Sequence, residues 1–202
     1  TCSNYGKMDL KDNFVNEESL LSPVSLYAEL KVEIENYLLN IVQKSSNFSP
    51  TSLRFSTVYG LSPRMRFDLT VNEFVKELTL GRTLEVFGEQ FWRPYCHVMD
   101  FTNAFKCVIN APKDKVSYNV FNVGKTEENY TKKMLVDNIS EFIPNIDINY
   151  VEQIDDPRDY RVNCDKIKNV LGYQPQFVLN DGIKEIIEAI ETKKISDPDD
   201  QI

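Results

Sequence analysis

A chain of 202 residues makes one domain, or one domain and part of another, and its 42% apolar content is ordinary for a globular protein. The net charge of −8 excludes nonspecific nucleic-acid binding, which needs a basic footprint, but a few placed arginines would suffice for an anionic substrate. One histidine, and four cysteines with no Cys-x-x-Cys pair, argue against zinc, and no apolar run reaches the roughly 18 residues of a membrane span.

Thr1 to Gly6 reads as a strand end entering a loop, and the polar, acidic stretch Lys7 to Ser22 as a loop over a site. Ser22 and Pro23 form a helix start, a capping hydroxyl followed by a first-turn proline. Leu26, Leu30, Ile34, Tyr37, Leu38 and Ile41 recur at helical spacing and predict a helix to about Lys44. Thr51 to Val58 predicts a buried strand. A helix from Phe67 to Gly81 ends on its glycine, Leu84 to Phe87 is a short strand, and a helix from Val98 to Ala111 stops before Pro112. A strand over Val116 to Val123 precedes a helix over Tyr130 to Ile143, closed by Pro144. A strand at Asp147 to Val151, a helix at Cys164 to Leu171 ended by Gly172, and an amphipathic helix at Asn180 to Lys194 complete the series. Ser196 to Ile202 is an acidic tail.

Alternating strands and helices predict an α/β fold. Phe74, Phe101, Phe105 and Phe142 sit at core spacing. Four free thiols and no visible signal peptide lead to an expected cytoplasmic location.

Tyr27 and Lys31 lie four residues apart in the first helix, so phenol and ammonium share one face. A nearby cation favours phenolate over phenol, and a phenolate can take a proton from a sugar hydroxyl while a cofactor takes the hydride. Hydride transfer needs a phosphate cradle for its nicotinamide, yet the seven glycines form no Gly-x-Gly-x-x-Gly, Gly-x-x-Gly-x-x-Gly or P-loop. The chain therefore reads as the back part of an enzyme whose cofactor-fingerprint part is absent.

Thr1-Cys-Ser-Asn-Tyr-Gly6, Tyr27-x-x-x-Lys31, Arg54-Phe-x-x-Val-Tyr-Gly60 and Arg93-Pro-Tyr-Cys-His-Val-Met-Asp100 occur in this order. In them the chain resembles the extended short-chain dehydrogenase/reductase family. Within it, the chain is similar to the NAD-dependent nucleotide-sugar epimerases and dehydratases of the UDP-galactose 4-epimerase type, from Thr1 to about Ile190. The resemblance implies the C-terminal part of a Rossmann-like doubly wound sheet plus a smaller mixed α/β substrate-binding subdomain. Residues 1–62 would carry the catalytic groups, 63–195 mainly the nucleotide-sugar subdomain, and 196–202 the tail.

The resemblance also implies roles. Thr1 would bond the reacting hydroxyl, Tyr27 act as base and acid, and Lys31 assist Tyr27 and bond the nicotinamide ribose. Thr57 joins Tyr27 and Lys31 as cofactor-binding, with NAD as cofactor and NADP left open. Asn72 and Arg93 would contact the substrate phosphates, Glu85 and Phe87 the nucleobase, Arg158 a phosphate and Asp159 a ribose hydroxyl. Tyr95 lines the groove or is structural, Arg161 pairs with a neighbouring acid, and His97 is a structural hydrogen-bonding residue. Cys2 and Ser3 stand where related 4,6-dehydratases carry an Asp-Glu pair, which favours epimerase or keto-sugar reductase chemistry. The expected partners are a nucleotide-diphosphate sugar and a second copy through the Tyr27–Lys31 helix, with neither nucleic acid nor membrane. Beside the epimerase and the reductase stands a third reading, a non-catalytic nucleotide-sugar-binding fragment.

Overall fold

The structure is a computed structural model that describes residues 1–8, 14–41, 48–156 and 158–200. Its helices are α1 (Leu26–Ile41), α2 (Thr70–Thr79), α3 (Val98–Asn110), α4 (Lys113–Val116), α5 (Lys132–Ser140), α6 (Asp165–Leu171) and α7 (Leu179–Glu191). Its strands are β1 (Thr51–Phe55), β2 (Thr57–Tyr59), β3 (Leu84–Phe87), β4 (Trp92–His97), β5 (Asn119–Val123), β6 (Asn129–Thr131) and β7 (Ile148–Val151). The α/β class expected from the sequence is the class observed.

The predicted strand over Thr51 to Val58 is two strands that change partner at Ser56. β1 pairs in parallel with β5, from Thr51 opposite Asn119 to Phe55 opposite Val123. β2 pairs in parallel with β4, Thr57 opposite Tyr95. Between them the Ser56 amide donates to Val123 O at 3.1 Å. The approach is close enough that a Cβ on Gly124 would lie 2.5 Å from Ser56 Oγ. β6 joins the far side of β4 antiparallel, and β3 pairs in parallel with β7. The segments 1–62 and 63–195 thus interlock through β1 and β5.

Several local expectations are corrected. Thr1 to Gly6 is a 3-10 turn over Cys2–Tyr5, because Thr1 Oγ1 accepts from Ser3 N and Gly6 turns the chain at φ 68°. The long helix starts after Ser25, whose carbonyl accepts from Glu29 N at 2.9 Å and whose hydroxyl accepts from Ala28 N at 3.3 Å. Ser22 instead donates its amide to Asn4 O at 3.0 Å, fastening the approach to the turn. The predicted end at Lys44 lies outside the described residues. β4 was not anticipated, since Pro94 lacks a donor for a ladder and points away from a strand reading. Tyr130 is in β6, and α5 starts only after Thr131, whose Oγ1 accepts from Met134 N at 3.2 Å. Phe105 is half exposed, against its reading as core, although its ring meets Phe55 at 5.3 Å between centroids.

The largest core cluster gathers Val71, Phe74, Val75 and Leu78 of α2, Leu135 and Ile139 of α5, and Ile183, Ile186 and Ile190 of α7 around Tyr59 and Tyr95. A second cluster, with Phe121, Val123, Ala104 and Ile167, joins β5 to α3 and α6. α1 is held polar rather than apolar. Glu35 and Arg54 are 5% and 4% exposed and meet through two hydrogen bonds, Nε to Oε2 at 3.1 Å and Nη2 to Oε1 at 2.5 Å. Ser52 Oγ donates to the same carboxylate at 2.9 Å, and Arg54 Nη1 donates to Tyr5 Oη at 2.8 Å. This network fixes α1 against β1 and against the 3-10 turn.

Candidate active site

At the C-terminal end of β1 and the start of β2, where the strand changes partner, a cleft of about 550 Å³ opens. That position is where open α/β sheets bind ligands. Its walls include Thr1 and Ser3 from the turn, Tyr27 from α1, and Ser56 and Thr57 from the strand break. Arg66, Asp68, Arg93, Lys132, Asp156, Arg158 and Tyr160 form the other side. A larger hollow of about 680 Å³, between residues 61–67 and 194–200, contains none of the predicted site residues.

Three phenols face the cleft, and their burial separates them. Tyr27 is 57% exposed, whereas Tyr95 and Tyr160 are 1% and 3% exposed. Burial pushes the Tyr160 phenol up to about 12 and Tyr95 well above its usual value. Tyr27 is therefore the phenol of the three that a substrate in the cleft can reach. The Lys31 ammonium stands 5.6 Å from the Tyr27 ring centroid, as the four-residue spacing predicted. Thr1 Oγ1 donates to Ser3 Oγ at 3.3 Å at the cleft edge. Ser56 Oγ lines the cleft and is buried, beside the Cys2 thiol.

The opposite wall is cationic. Arg93 Nη2 pairs with Asp156 Oδ2 at 2.8 Å, Nη1 donates to Trp92 O at 2.7 Å, and the guanidinium lies 5.4 Å over the Tyr160 ring. Arg158 Nε approaches the same Asp156 at 3.5 Å, and the Arg158 amide donates to Asp156 Oδ1 at 2.8 Å. Arg66 forms a fork on Asp68, at 2.7 and 2.6 Å. Lys132 Nζ donates to Phe87 O at 2.6 Å. Lys132 and Thr70 also line a hollow of about 360 Å³ with Glu85 and Phe87, so the two cavities adjoin at these residues.

Of the residues expected in the site, Thr1, Tyr27, Thr57, Arg93 and Arg158 line the cleft, Lys31 stands beside it on α1, and Glu85 and Phe87 line its continuation. Two are not brought in. Asn72 is 3% exposed, accepting from Gly60 N at 3.0 Å and donating to Arg66 O at 3.1 Å, so both ends of its amide hold backbone. Asp159 accepts from Trp92 N at 2.9 Å and braces β4. Arg161 has no acid partner among the described residues; its guanidinium sits 5.1 Å from both the Phe14 and Trp92 rings. His97 is structural: Nδ1 accepts from Met99 N at 3.2 Å, so Nε2 carries the proton and donates to Glu185 Oε1 at 2.7 Å. Its ring leaves no room at Gly60, where φ is 106° and a Cβ would lie 2.4 Å from Nε2.

Sequence reasoning missed Lys132, Arg66, Asp156, Ser56 and Tyr160. Lys132 reaches the cleft because β6 runs antiparallel to β4, with Tyr130 opposite Arg93. The acidic dipeptide Asp155-Asp156 before Arg158 was a legible signal for a carboxylate among the cations.

Parallel strands ending on a Tyr–Lys pair and a cationic groove define the Rossmann-type short-chain dehydrogenase class. Residues 1–124 match the NAD dependent epimerase/dehydratase family, and the chain belongs to it. The cofactor of this family is NAD. The chain is 29% identical over 196 residues to the dTDP-4-dehydro-6-deoxyglucose reductase of Escherichia coli, covering 94% of this chain and 58% of the reductase. It is 28% identical over 188 residues to the UDP-glucose 4-epimerase of Mycolicibacterium smegmatis, covering 88% of this chain and 56% of that enzyme. The fold superposes on MoeE5 in complex with UDP-glucuronic acid and NAD with a TM-score of 0.81, 25% identity, and 95% and 62% of the two chains covered. The chain thus spans less than two thirds of the length of these relatives. Among the described residues no helix is long and apolar enough to cross a membrane.

Proposed function

We propose that the chain carries the proton-transfer and nucleotide-sugar-binding part of an NAD-dependent 4-epimerase of nucleotide-linked sugars. The reading rests on one observation: Tyr27 is the single exposed phenol of the cleft, with Lys31 one helical turn away. Tyr27, with the Lys31 ammonium beside its ring, is the base that takes the proton of the sugar 4-hydroxyl, and the Thr1 hydroxyl hydrogen-bonds the same oxygen. Bound NAD would supply the hydride acceptor and donor for that carbon. Tyr27 then gives its proton back to the carbonyl oxygen of the turned keto-sugar, so the 4-hydroxyl re-forms with inverted configuration.

The residues present fit the nicotinamide end of the cofactor. Tyr27, Lys31 and Thr57 would hold its ribose and ring, and Ser56 Oγ in the same cleft would supply a further hydroxyl. The glycine fingerprint for the cofactor phosphates is not in this sequence. Arg93 and Arg158 would hold the substrate diphosphate, and Phe87 and Glu85 the base. Water elimination lacks its acid–base pair: Cys2 is 1% exposed with its thiol pushed up to about 12 by burial, and Asp68 and Asp156 are engaged by arginines. A homodimer through α1 belongs to the same proposal, supported by the exposed row Leu26, Leu30, Ile34 and Tyr37.

A reductase of nucleotide-linked keto-sugars is the second reading, favoured by the E. coli reductase being similar over 94% of the chain. Tyr27→Phe should lower turnover by roughly 10²- to 10⁴-fold with nucleotide-sugar binding retained; near-normal turnover would sink both enzymatic readings. Net oxidation of NADH with a keto-sugar substrate separates reductase from epimerase. A protein that binds nucleotide sugars but catalyses neither reaction would be the binding fragment.

A further inference from the structure

Tyr27 and Thr1 stand on separate elements, α1 and the 3-10 turn, and one side chain of β1 holds both. α1 has little apolar purchase. Among its described residues Ala28 and Glu35 are the buried side chains, Val32, Leu38 and Leu39 are half-buried, and Leu26, Leu30 and Ile34 are exposed. A methyl group sets how closely a helix approaches but not how it tilts or turns, so the Glu35 carboxylate carries that part. It is held by Ser52 and Arg54, alternate residues on one face of β1.

Arg54 reaches the turn by two routes. Its Nη1 donates to Tyr5 Oη at 2.8 Å, and its carbonyl accepts from Cys2 Sγ at 3.2 Å. Tyr5 Oη in turn donates to Asn122 Oδ1 of β5 at 2.8 Å, and Asn122 Nδ2 donates to Asn163 O at 3.0 Å. The guanidinium is therefore the shared fixed point of the two elements that aim oxygens into the cleft. Lys31 lies one turn from Glu35 and Tyr27 a second turn on, about 12 Å along the axis, so a tilt of about 5° at Glu35 moves Tyr27 by about 1 Å. A misplacement of that size costs a proton transfer on the order of 10²-fold in rate.

We propose that Arg54 is a positioning residue for the proton transfer: by gripping Glu35 of α1 and Tyr5 of the turn, it sets the separation of the Tyr27 and Thr1 oxygens. This rests on the roles given to Tyr27 and Thr1 above. Arg54, Glu35 and Tyr5 do not line the cleft, so none of them touches the substrate. The network thus acts on turnover and leaves nucleotide-sugar affinity alone.

The test must part geometry from stability, and Glu35→Leu combined with Arg54→Met does so. It removes both buried charges together, so neither is left uncompensated, yet it cuts the tie between helix and turn. In the full-length protein, kcat of the double variant should fall roughly ten- to a hundredfold in the epimerase or NADH-oxidation assay. The affinity for UDP-glucose by calorimetry, and KM, should stay within about twofold, the split expected when an interaction serves the transition state alone. Tyr5→Phe, which unties the turn alone, should lower kcat by roughly three- to tenfold with the same split. A purely structural network gives a different result: kcat returns with stability in the double variant, or UDP-glucose affinity falls as far as kcat. Either outcome overturns the proposal. Should the double variant not fold, Arg54→Lys is read in the same way, since one ammonium keeps the charge but cannot fork onto Glu35 and reach Tyr5 at once. A wild type that binds neither UDP-glucose nor its TDP, GDP and ADP counterparts, or a Tyr27→Phe protein with normal turnover, sinks the catalytic reading and this inference with it. That result is seen without any change at Arg54.

Discussion

Replacing Glu35 by Ala probes the device that fixes α1. Arg54 is 4% exposed and would keep one hydrogen-bond partner from its side-chain network, Tyr5 Oη at 2.8 Å. Its guanidinium is held above its ordinary pKa in the folded state by Glu35 and Tyr5, despite burial that opposes them, so it cannot shed its proton. An uncompensated buried charge costs about 3–5 kcal/mol. At about 2–4 °C per kcal/mol for a chain of this size, the midpoint should fall by roughly 6–20 °C. Thermal and urea unfolding of the single variant and of Glu35→Leu combined with Arg54→Met measure this. In the double variant neither charge is buried, and at least half of the lost stability should return. Tyr5 Oη retains its bond to Asn122 Oδ1 at 2.8 Å in either background. A Glu35→Ala protein within about 1 kcal/mol of wild type, or a double variant no better than the single one, refutes the reasoning.

Other outcomes are equally specific. Cys2, Cys96 and Cys164 are buried, whereas Cys107 is partly exposed. Burial raises the first three thiols, so a thiol reagent should titrate one group in the native protein and four after denaturation. Two fast native thiols would contradict the packing around the turn. Burial also raises the Glu128 carboxyl, which accepts from Tyr130 Oη at 3.0 Å and Leu179 N at 2.9 Å. The folded state therefore binds that proton more tightly than the unfolded chain, and stability falls as pH rises from the ordinary glutamate value through the raised one. Glu128→Gln should flatten the midpoint-against-pH curve on that side, and an unchanged slope counts against the assignment.

Local signals were legible where one element suffices. The strand Leu84–Phe87 was readable from its boundaries, and Gly172 closes α6 in the left-handed conformation expected of a helix-ending glycine. Tyr27 and Lys31 meet because four residues make about one helical turn. Features that depend on a distant partner were not legible. Thr51–Val58 looks continuous in sequence, and only β5 and β4 decide where it divides. The Glu35–Arg54 pair joins residues that periodicity alone cannot relate. Asn72 and Arg161 carry functional groups whose use depends on the turn at Gly60 and on the rings of Phe14 and Trp92.

The turn carrying Thr1 is roofed from far along the chain. Met8 N donates to Asp159 O, Val15 N to Arg161 O, and Lys7 pairs with Asp155, 148 residues away. Tyr160, Val162 and Cys164 close over Cys2, Tyr5 and Val15 in a small cluster of their own. During synthesis at about 5–20 residues per second, the start of this cleft would stay uncovered for many seconds before its roof is translated. Contacts of such separation are slow to form. A nonsense codon between residues 42 and 160 would thus leave α1 and its Tyr–Lys pair encoded, yet strip the turn at Cys2–Tyr5 of the residues that bury it.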